Sequence, residues 1–329
     1  MSSDGVLVVG GAGYIGSHMV RALAEAGRGA CVLDDLSTGH RDAVGVALVE
    51  AGLEDAAAVS RAVAASSAGA AMHFASFIQV GESVAAPAKY YANNVANTVS
   101  LLNALCEAGV RRFIFSSSAA VYGEPERSPL PESHPTRPVN PYGRTKLMVE
   151  QMLPDYGRAY GLEWVALRYF NAAGAHPDAT LGERHDPETH LIPLALRAAS
   201  GRLPALTVFG TDYPTPDGTC IRDYVHVMDL AQAHLLALEH LERGGESRAF
   251  NLGNGGGFSV KQVIDSVERV TGRKVPVEYG PRRAGDPAVL VADASAAREI
   301  LGWKPRYADL DTIVEHAWAW ERRLASTPG

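Results

Sequence analysis

The chain has only three cysteines in 329 residues, Cys31, Cys106 and Cys220. They are odd in number and far apart, which excludes a disulfide framework and any thiolate metal knuckle; reduced thiols in a cytoplasmic protein are expected. Long apolar runs are also missing. The first apolar stretch, Gly5 to Val9, lacks a basic flank and stops at glycines, so neither a signal peptide nor a membrane span is expected. Basic residues are outnumbered, 30 Lys+Arg against 37 Asp+Glu, for a net charge of −7 and a pI near 5.9. That balance argues against a broad nucleic-acid-binding face but leaves arginines free to hold a small anion. Repeats and low-complexity tracts are absent. What remains, 47% apolar and 20% charged residues, describes a globular protein long enough for two domains or lobes.

Near the start, Gly5 to Gly10 reads as a short strand buried on both faces. Gly10-Gly11-Ala12-Gly13-Tyr14-Ile15-Gly16 follows and opens an apolar-periodic helix that ends near Gly27. Small residues there let a backbone approach a pyrophosphate lying on the helix's N-terminal N–H groups. A second strand, Ala30 to Leu33, ends at Asp34, eighteen residues past Gly16. A carboxylate at that place accepts hydrogen bonds from both ribose hydroxyls and repels a 2′-phosphate, which points to NAD rather than NADP. A glycine-rich turn alone often binds nothing; strand, glycines, helix, strand and Asp in that order make a specific signal.

A second constellation is Asn140-Pro141-Tyr142-Gly143-Arg144-Thr145-Lys146. Asn then Pro reads as a helix cap and first turn, which puts Tyr142 and Lys146 at i and i+4 on one face. A nearby ammonium favours the phenolate, so Tyr142 is a candidate general base with Lys146 as activator. With twelve tyrosines and five lysines, chance alone supplies roughly 0.2 such pairs, so the spacing needs support. Support comes from residues 111–118, a buried strand ending in Ser116-Ser117-Ser118. A serine there can hydrogen-bond a substrate hydroxyl, although a polar loop serine is the plainer reading.

Between these motifs strands are expected at Val46 to Glu50, Ala70 to Ala75 and Trp164 to Phe170. Helices are expected over Asp55 to Ser66, Pro87 to Ala108 and Tyr142 to Tyr160. The alternation predicts a doubly wound parallel sheet, a Rossmann-type α/β domain over 1–173. After Asn171 the pattern breaks into a Pro/Gly-rich stretch, with helices expected from Ile192, over Val225 to His240, Phe258 to Val270 and Ala294 to Leu301. Residues 174–329 are thus expected to form a smaller mixed α/β lobe for substrate, with about 220–245 rejoining the first domain and the ligand cleft between the two.

With these motifs together, the chain resembles the extended short-chain dehydrogenase/reductases, and within them the UDP-glucose 4-epimerase family. The resemblance spans nearly the whole chain. Besides the glycine turn, it is carried by His73-Phe74-Ala75 with Val80-Gly81-Glu82-Ser83, Ser116 to Gly123, Arg168-Tyr169-Phe170-Asn171, Gly218 to Val227 and Arg282-Arg283-Ala284-Gly285-Asp286. It implies Tyr142 as acid–base, Lys146 as its activator and a nicotinamide-ribose ligand, and Ser118 as partner in proton transfer. It implies a bound NAD lined by Gly10, Gly13, Tyr14, Ile15, Gly16, Asp34, Leu53, Phe74, Asn93, Tyr142, Lys146 and Phe170. A UDP-sugar would be held by Ser118, Asn171, His190, Phe209, Arg222 and Arg283, with Leu290 beside the sugar. For Arg222 a surface pair with Asp223 is the plain alternative, and for Phe209 a core role. The resemblance also implies a homodimer, through the helices around 93–108 and 142–160, and no metal.

Several positions depart from the family. Ala51-Gly52-Leu53 stands where a carboxylate often meets the adenine, leaving backbone contacts only. Ile78 occupies a place that some members give to lysine, and His190 one that many give to asparagine. Nucleotide-sugar 4,6-dehydratases present Thr-Asp-Glu where this chain has Ser118-Ala119-Ala120, so elimination lacks its acid. Epimerases of UDP-N-acetylglucosamine or of UDP-uronates are nearer alternatives. Outside enzymes, an NAD-binding regulator would use the fold without needing Tyr142, Lys146 or Ser118.

Overall fold

The computed structural model of the chain describes residues 5–283 and 286–326; Ala284 and Gly285 of the arginine motif lie outside the described residues. The Val/Leu run becomes β1, Gly5–Val9, buried throughout. It is followed by α1, Tyr14–Glu25, and β2, Ala30–Asp34. Then come β3, Ala47–Glu50, and α2, Ala56–Ser66, whose cap is the Asp55 carboxylate accepting from Ala58 N–H at 2.9 Å. The next elements are β4, Ala68–His73, α3, Asn97–Glu107, and β5, Arg112–Ser118. The long helix α4, Pro141–Tyr160, is capped by Asn140, which accepts from Gly143 N–H at 2.8 Å, and is closed by Gly161 in the left-handed region. Strand β6, Glu163–Tyr169, follows.

These strands and a seventh, β7, Arg248–Leu252, form one sheet in the order β7-β6-β5-β4-β1-β2-β3, every pair parallel. The order reverses between β1 and β4, and the ends of those two strands carry the glycine turn and His73-Phe74. A ligand crevice belongs at such a switch point, outside the carboxyl ends of the strands. Each face of the sheet is covered. Met19 and Leu23 of α1 and Leu230 and Leu238 of a later helix fill one side. Val59 of α2, Leu101 and Leu105 of α3 and Val149 of α4 fill the other.

Beyond Asn171 a separate core gathers helices α5, Leu191–Ala199, α7, Val260–Thr271, and α8, Leu310–Ser326, through Leu196, Val263 and Ile313. Another helix, α6, Val227–Glu242, packs on the sheet beside α1. Its expected first residues, Val225 and His226, instead belong to a strand, Tyr224–His226, parallel to Asn171–Ala173. Strand β7 falls outside the expected return at 220–245. Its Asn251, between Phe250 and Leu252, interrupts the apolar run, yet is fully buried because Nδ2 donates to Leu130 O and Oδ1 accepts from Tyr122 OH. Helix α8 is also absent from the expected elements, although Leu310, Ile313, Val314 and Ala317 have helical spacing. Over residues 92–96 the expected continuous helix becomes a π-turn, and over 297–301 another π-turn stands where an α-helix is expected.

Candidate active site

The chemistry-bearing side chains meet where β5 ends and α4 begins. Ser118 is the last residue of β5, and its Oγ accepts from Ala120 N–H at 3.2 Å, which caps a short 3-10 turn, Ala119–Val121. Tyr142 lies in the first turn of α4, and Lys146, 3% exposed, lies one turn on. The Lys146 Nζ is 5.8 Å from the Tyr142 ring centre and donates to Ser76 Oγ at 2.9 Å and Ser116 O at 2.8 Å.

The electrostatics differ from the expected activation. Burial pushes the Tyr142 phenol above its ordinary value, and a hydrogen bond with the Ser118 hydroxyl pulls it back. Burial likewise pushes the Lys146 ammonium down to about 7, with Glu150 on the same helix opposing. The protein alone therefore holds a dry lysine, charged only part of the time near neutral pH, beside a dry phenol. Added positive charge in the cleft is what such a pair needs to form a phenolate.

Helix α4 is held against β6 by a buried ion pair. Arg168 Nε donates to Glu150 Oε1 at 2.9 Å, Arg168 Nη1 donates to Tyr122 OH at 2.9 Å, and both charged side chains are at most a tenth exposed. Asn94, in the π-turn, receives Phe77 N–H at 2.9 Å and donates to Thr145 Oγ1 of α4 at 3.2 Å. Neither Asn94 nor Ser76 is singled out by sequence; Ser76 merely follows the His73-Phe74-Ala75 stretch.

The glycine turn has the shape a dinucleotide needs. Gly10 has φ +78°, and a Cβ there would meet Ala75 N at 2.4 Å. At Gly16 a Cβ would meet Gly10 O at 2.1 Å, so internal packing requires both glycines. Gly13 is different: a Cβ would come no nearer than 3.5 Å to the protein, so its bareness leaves room for a ligand at the N-terminus of α1. Asp34 at the end of β2 accepts from Ala12 N–H at 2.9 Å and Leu36 N–H at 2.8 Å, which orient its carboxylate. Burial raises its pKa and those two bonds lower it. An open glycine, a free helix terminus and an oriented carboxylate fit NAD.

Other expected lining residues are scattered around this frame. Tyr14 donates its hydroxyl to Gly174 O at 2.6 Å, and Ile15 packs on the core beneath. Leu53 is 5% exposed, within the core. Phe74 lies 4.8 Å from the His234 ring, Asn93 sits in the π-turn, and Phe170 packs against the cluster of Val121, Tyr122 and Leu130.

The remaining expected residues lie beyond β6. Asn171 Nδ2 donates to Asp223 O at 2.9 Å. Arg222 pairs with Asp286, not with Asp223. Asp223 is fully buried and receives the backbone N–H groups of Asn254, Gly255 and Ala292. Arg283 lies over the Phe209 ring at 4.1 Å. Leu290 pairs in register with Arg222 and, like Phe170 and Leu147, packs against the cluster of Val121, Tyr122 and Leu130. His190 is not free: its Nδ1 lies 2.6 Å from Glu183 and 2.9 Å from Glu188, and those carboxylates raise it to about 10.

Residues 6–253 match the model of the NAD dependent epimerase/dehydratase family. The chain belongs to that family. A UDP-glucose 4-epimerase of Halalkalibacterium halodurans is 52% identical over 318 residues, 96% of this chain and 95% of that protein. The crystal structure of UDP-glucose 4-epimerase from Brucella ovis in complex with NAD superposes with a TM-score of 0.93 at 54% identity, covering 95% of this chain and 97% of that one. The UDP-Glc/GlcNAc 4-epimerase of Campylobacter jejuni superposes with a TM-score of 0.84 at 45% identity, covering 97% and 99%. Within the family, Ala119 and Ala120 beside Ser118 offer no acid to an elimination. Among the described residues no helix is long and apolar enough to cross a membrane.

Proposed function

We propose that the chain is an NAD-dependent epimerase that interconverts UDP-glucose and UDP-galactose, an isomerase of galactose metabolism. The observation that carries this reading is the meeting of Tyr142, Ser118 and Lys146 at the end of β5, beside the open glycine turn, in a chain similar over its full length to UDP-glucose 4-epimerases. NAD would be held by the N-terminus of α1 at Gly13, by Asp34, and by Lys146 at its nicotinamide ribose. Bound there, it supplies a hydride acceptor that becomes a donor again in the same turnover, together with positive charge in the cleft.

The residues of the chain do the rest. Tyr142 takes the proton of the sugar's 4-hydroxyl and later returns it, with Ser118 sharing the hydrogen bond. The sugar passes through a 4-keto form that stays attached through its UDP. Arg222, Arg283, Asn171 and Phe209 anchor that nucleotide, so the sugar can turn over and be reduced on its opposite face. Asp286 orients Arg222 for this role.

Residues 1–173, with the return near 220–245, would form the cofactor-binding domain, and 174–329 the nucleotide-sugar lobe. The enzyme would act as a homodimer in the cytoplasm, in keeping with three free thiols and with the exposed apolar Met148 and Tyr160 on α4.

A second reading, turnover of UDP-N-acetylglucosamine, is favoured by Leu290, which is smaller than a tyrosine beside the sugar. The first reading is tested by incubating the purified protein with UDP-galactose and no added NAD. A mixture of UDP-glucose and UDP-galactose without accumulating NADH is expected; net NADH formation or no interconversion contradicts it.

A further inference from the structure

Glu183, His185, Glu188 and His190 each turn one ligand atom into a common space, where all four atoms lie within 4.8 Å of one another. The His185 Nδ1 is 2.9 Å from Glu183 Oε1, and the His190 Nδ1 is 2.6 Å from Glu183 and 2.9 Å from Glu188 Oε1. The Glu183 and Glu188 side chains are only 6% and 1% exposed, so two adjacent carboxylates are withdrawn from water. A second observation is independent of these contacts. The other oxygen of Glu188, Oε2, is buried without any hydrogen bond, and its ionic partner, the Arg197 guanidinium, stands as far as 4.0 Å away. A buried carboxylate oxygen with no hydrogen bond is costly and leaves room for a closer cation.

We propose that these four residues bind one divalent transition-metal ion of the zinc class. Two imidazoles and two carboxylates are the donor set and number that such an ion takes in a tetrahedral site, and fewer oxygens than calcium requires. Metal–ligand bonds of about 2.0–2.2 Å place tetrahedral donors about 3.3 Å apart. On binding, the contacts now at 2.6–2.9 Å widen by roughly half an ångström and the widest, up to 4.8 Å, close in, while the Nδ1 hydrogens that His190 and His185 direct at carboxylates are displaced, to solvent or onto Nε2. The loop is framed for this: Trp320 Nε1 donates to Glu183 O at 2.9 Å, and His40 Nε2 meets Arg184 O at 2.8 Å. Access is open, because His190 and His185 are 39% and 22% exposed, and His185 also lines the cleft beside Gly13 and Tyr14. A bound ion would fix His190, the residue assigned above to the nucleotide-sugar. The metal site itself stands without that assignment.

The test uses the full chain with its bound cofactor, stripped of metal by a chelator. Zinc uptake is measured after dialysis, and cobalt(II) reports geometry through its visible absorption. One equivalent of zinc and a tetrahedral cobalt spectrum are expected. Glu188→Gln and His185→Gln should each weaken binding about tenfold or more; His316→Gln, in another histidine cluster, should not. Circular-dichroism melts of each variant confirm that it is folded. No stoichiometric uptake, or uptake unaffected by Glu188→Gln and His185→Gln, overturns the site. UDP-galactose conversion by the same samples tells failure of the metal site from failure of the proposed activity.

Discussion

Tyr142 and Leu290 are the residues at which the proposed reaction is most exposed to single changes. Tyr142→Phe keeps the ring and removes the oxygen that takes and returns the proton. Turnover should fall by about 10²–10⁴, with UDP binding nearly unchanged; more than a tenth of wild-type turnover would remove Tyr142 from its role. Leu290 packs against the Val121, Tyr122 and Leu130 cluster, as Phe170 and Leu147 do, and lies opposite Arg222 in register. In the proposed site a branched side chain there would crowd an acetamido group at C2 of the sugar, and such crowding discriminates by about 1–3 kcal/mol. UDP-glucose and UDP-galactose should be the main pair, with slow turnover of UDP-N-acetylglucosamine that Leu290→Tyr suppresses selectively. Comparing kcat/KM for both sugars in wild type and variant checks this, and equal wild-type efficiencies would show that Leu290 is not the gate.

Among the elements, the junction of α1, α6 and α8 has its own pH behaviour. His226 accepts Met228 N–H at its Nδ1, 3.1 Å away, capping α6, and its Nε2 therefore carries the hydrogen that faces His316 Nδ1 at 3.0 Å. His18 on α1 donates Nδ1–H to Tyr14 O at 2.7 Å, and its buried Nε2 has no hydrogen-bond partner. Burial pushes His18 down to about 4 and His226 to about 3, and neighbouring histidines, His176 included, add to both shifts. Unfolded, these groups titrate near 6.5. Their stabilisation is thus present above that pH and is lost as pH falls toward about 4 and 3, at up to about 1.4 kcal/mol per pH unit for each group. His190 runs oppositely: raised to about 10, it stabilises below 6.5 and loses that contribution as pH rises through about 10. Melting temperature should drop between pH 7 and 5, and less so in His226→Asn, which keeps a cap but not the titration. An equal acid loss in both proteins would dissociate His226 from the effect. Elements differed in how far sequence revealed them. Asn140-Pro141 marks the start of α4 because capping is local chemistry. β7 escapes because Asn251 is made tolerable only by Tyr122 and Leu130, which are more than a hundred residues away. The π-turn at Asn93 and Asn94 likewise answers to Phe77 and Thr145 rather than to its own sequence.

Across the whole molecule, the sheet order puts the glycine turn at the switch point and Ser118 at the end of a neighbouring strand. Topology therefore brings together motifs more than a hundred residues apart. The doubly wound domain was legible because buried strands and glycine turns carry their signals locally. The site's electrostatics were not, because spacing alone suggests a phenol activated by lysine. Only burial depth reveals that Lys146 is itself pushed down to about 7 and that Tyr142 is pushed up. The central claim is that hydrogen leaves C4 of the sugar and returns to the same carbon on the opposite face, within one closed site. The most direct measurement supplies UDP-galactose deuterated at C4 to the purified protein, in ordinary water without added NAD, and follows the label in the UDP-glucose formed. Retention of deuterium at C4 is the predicted result; its replacement by hydrogen from solvent would contradict the account.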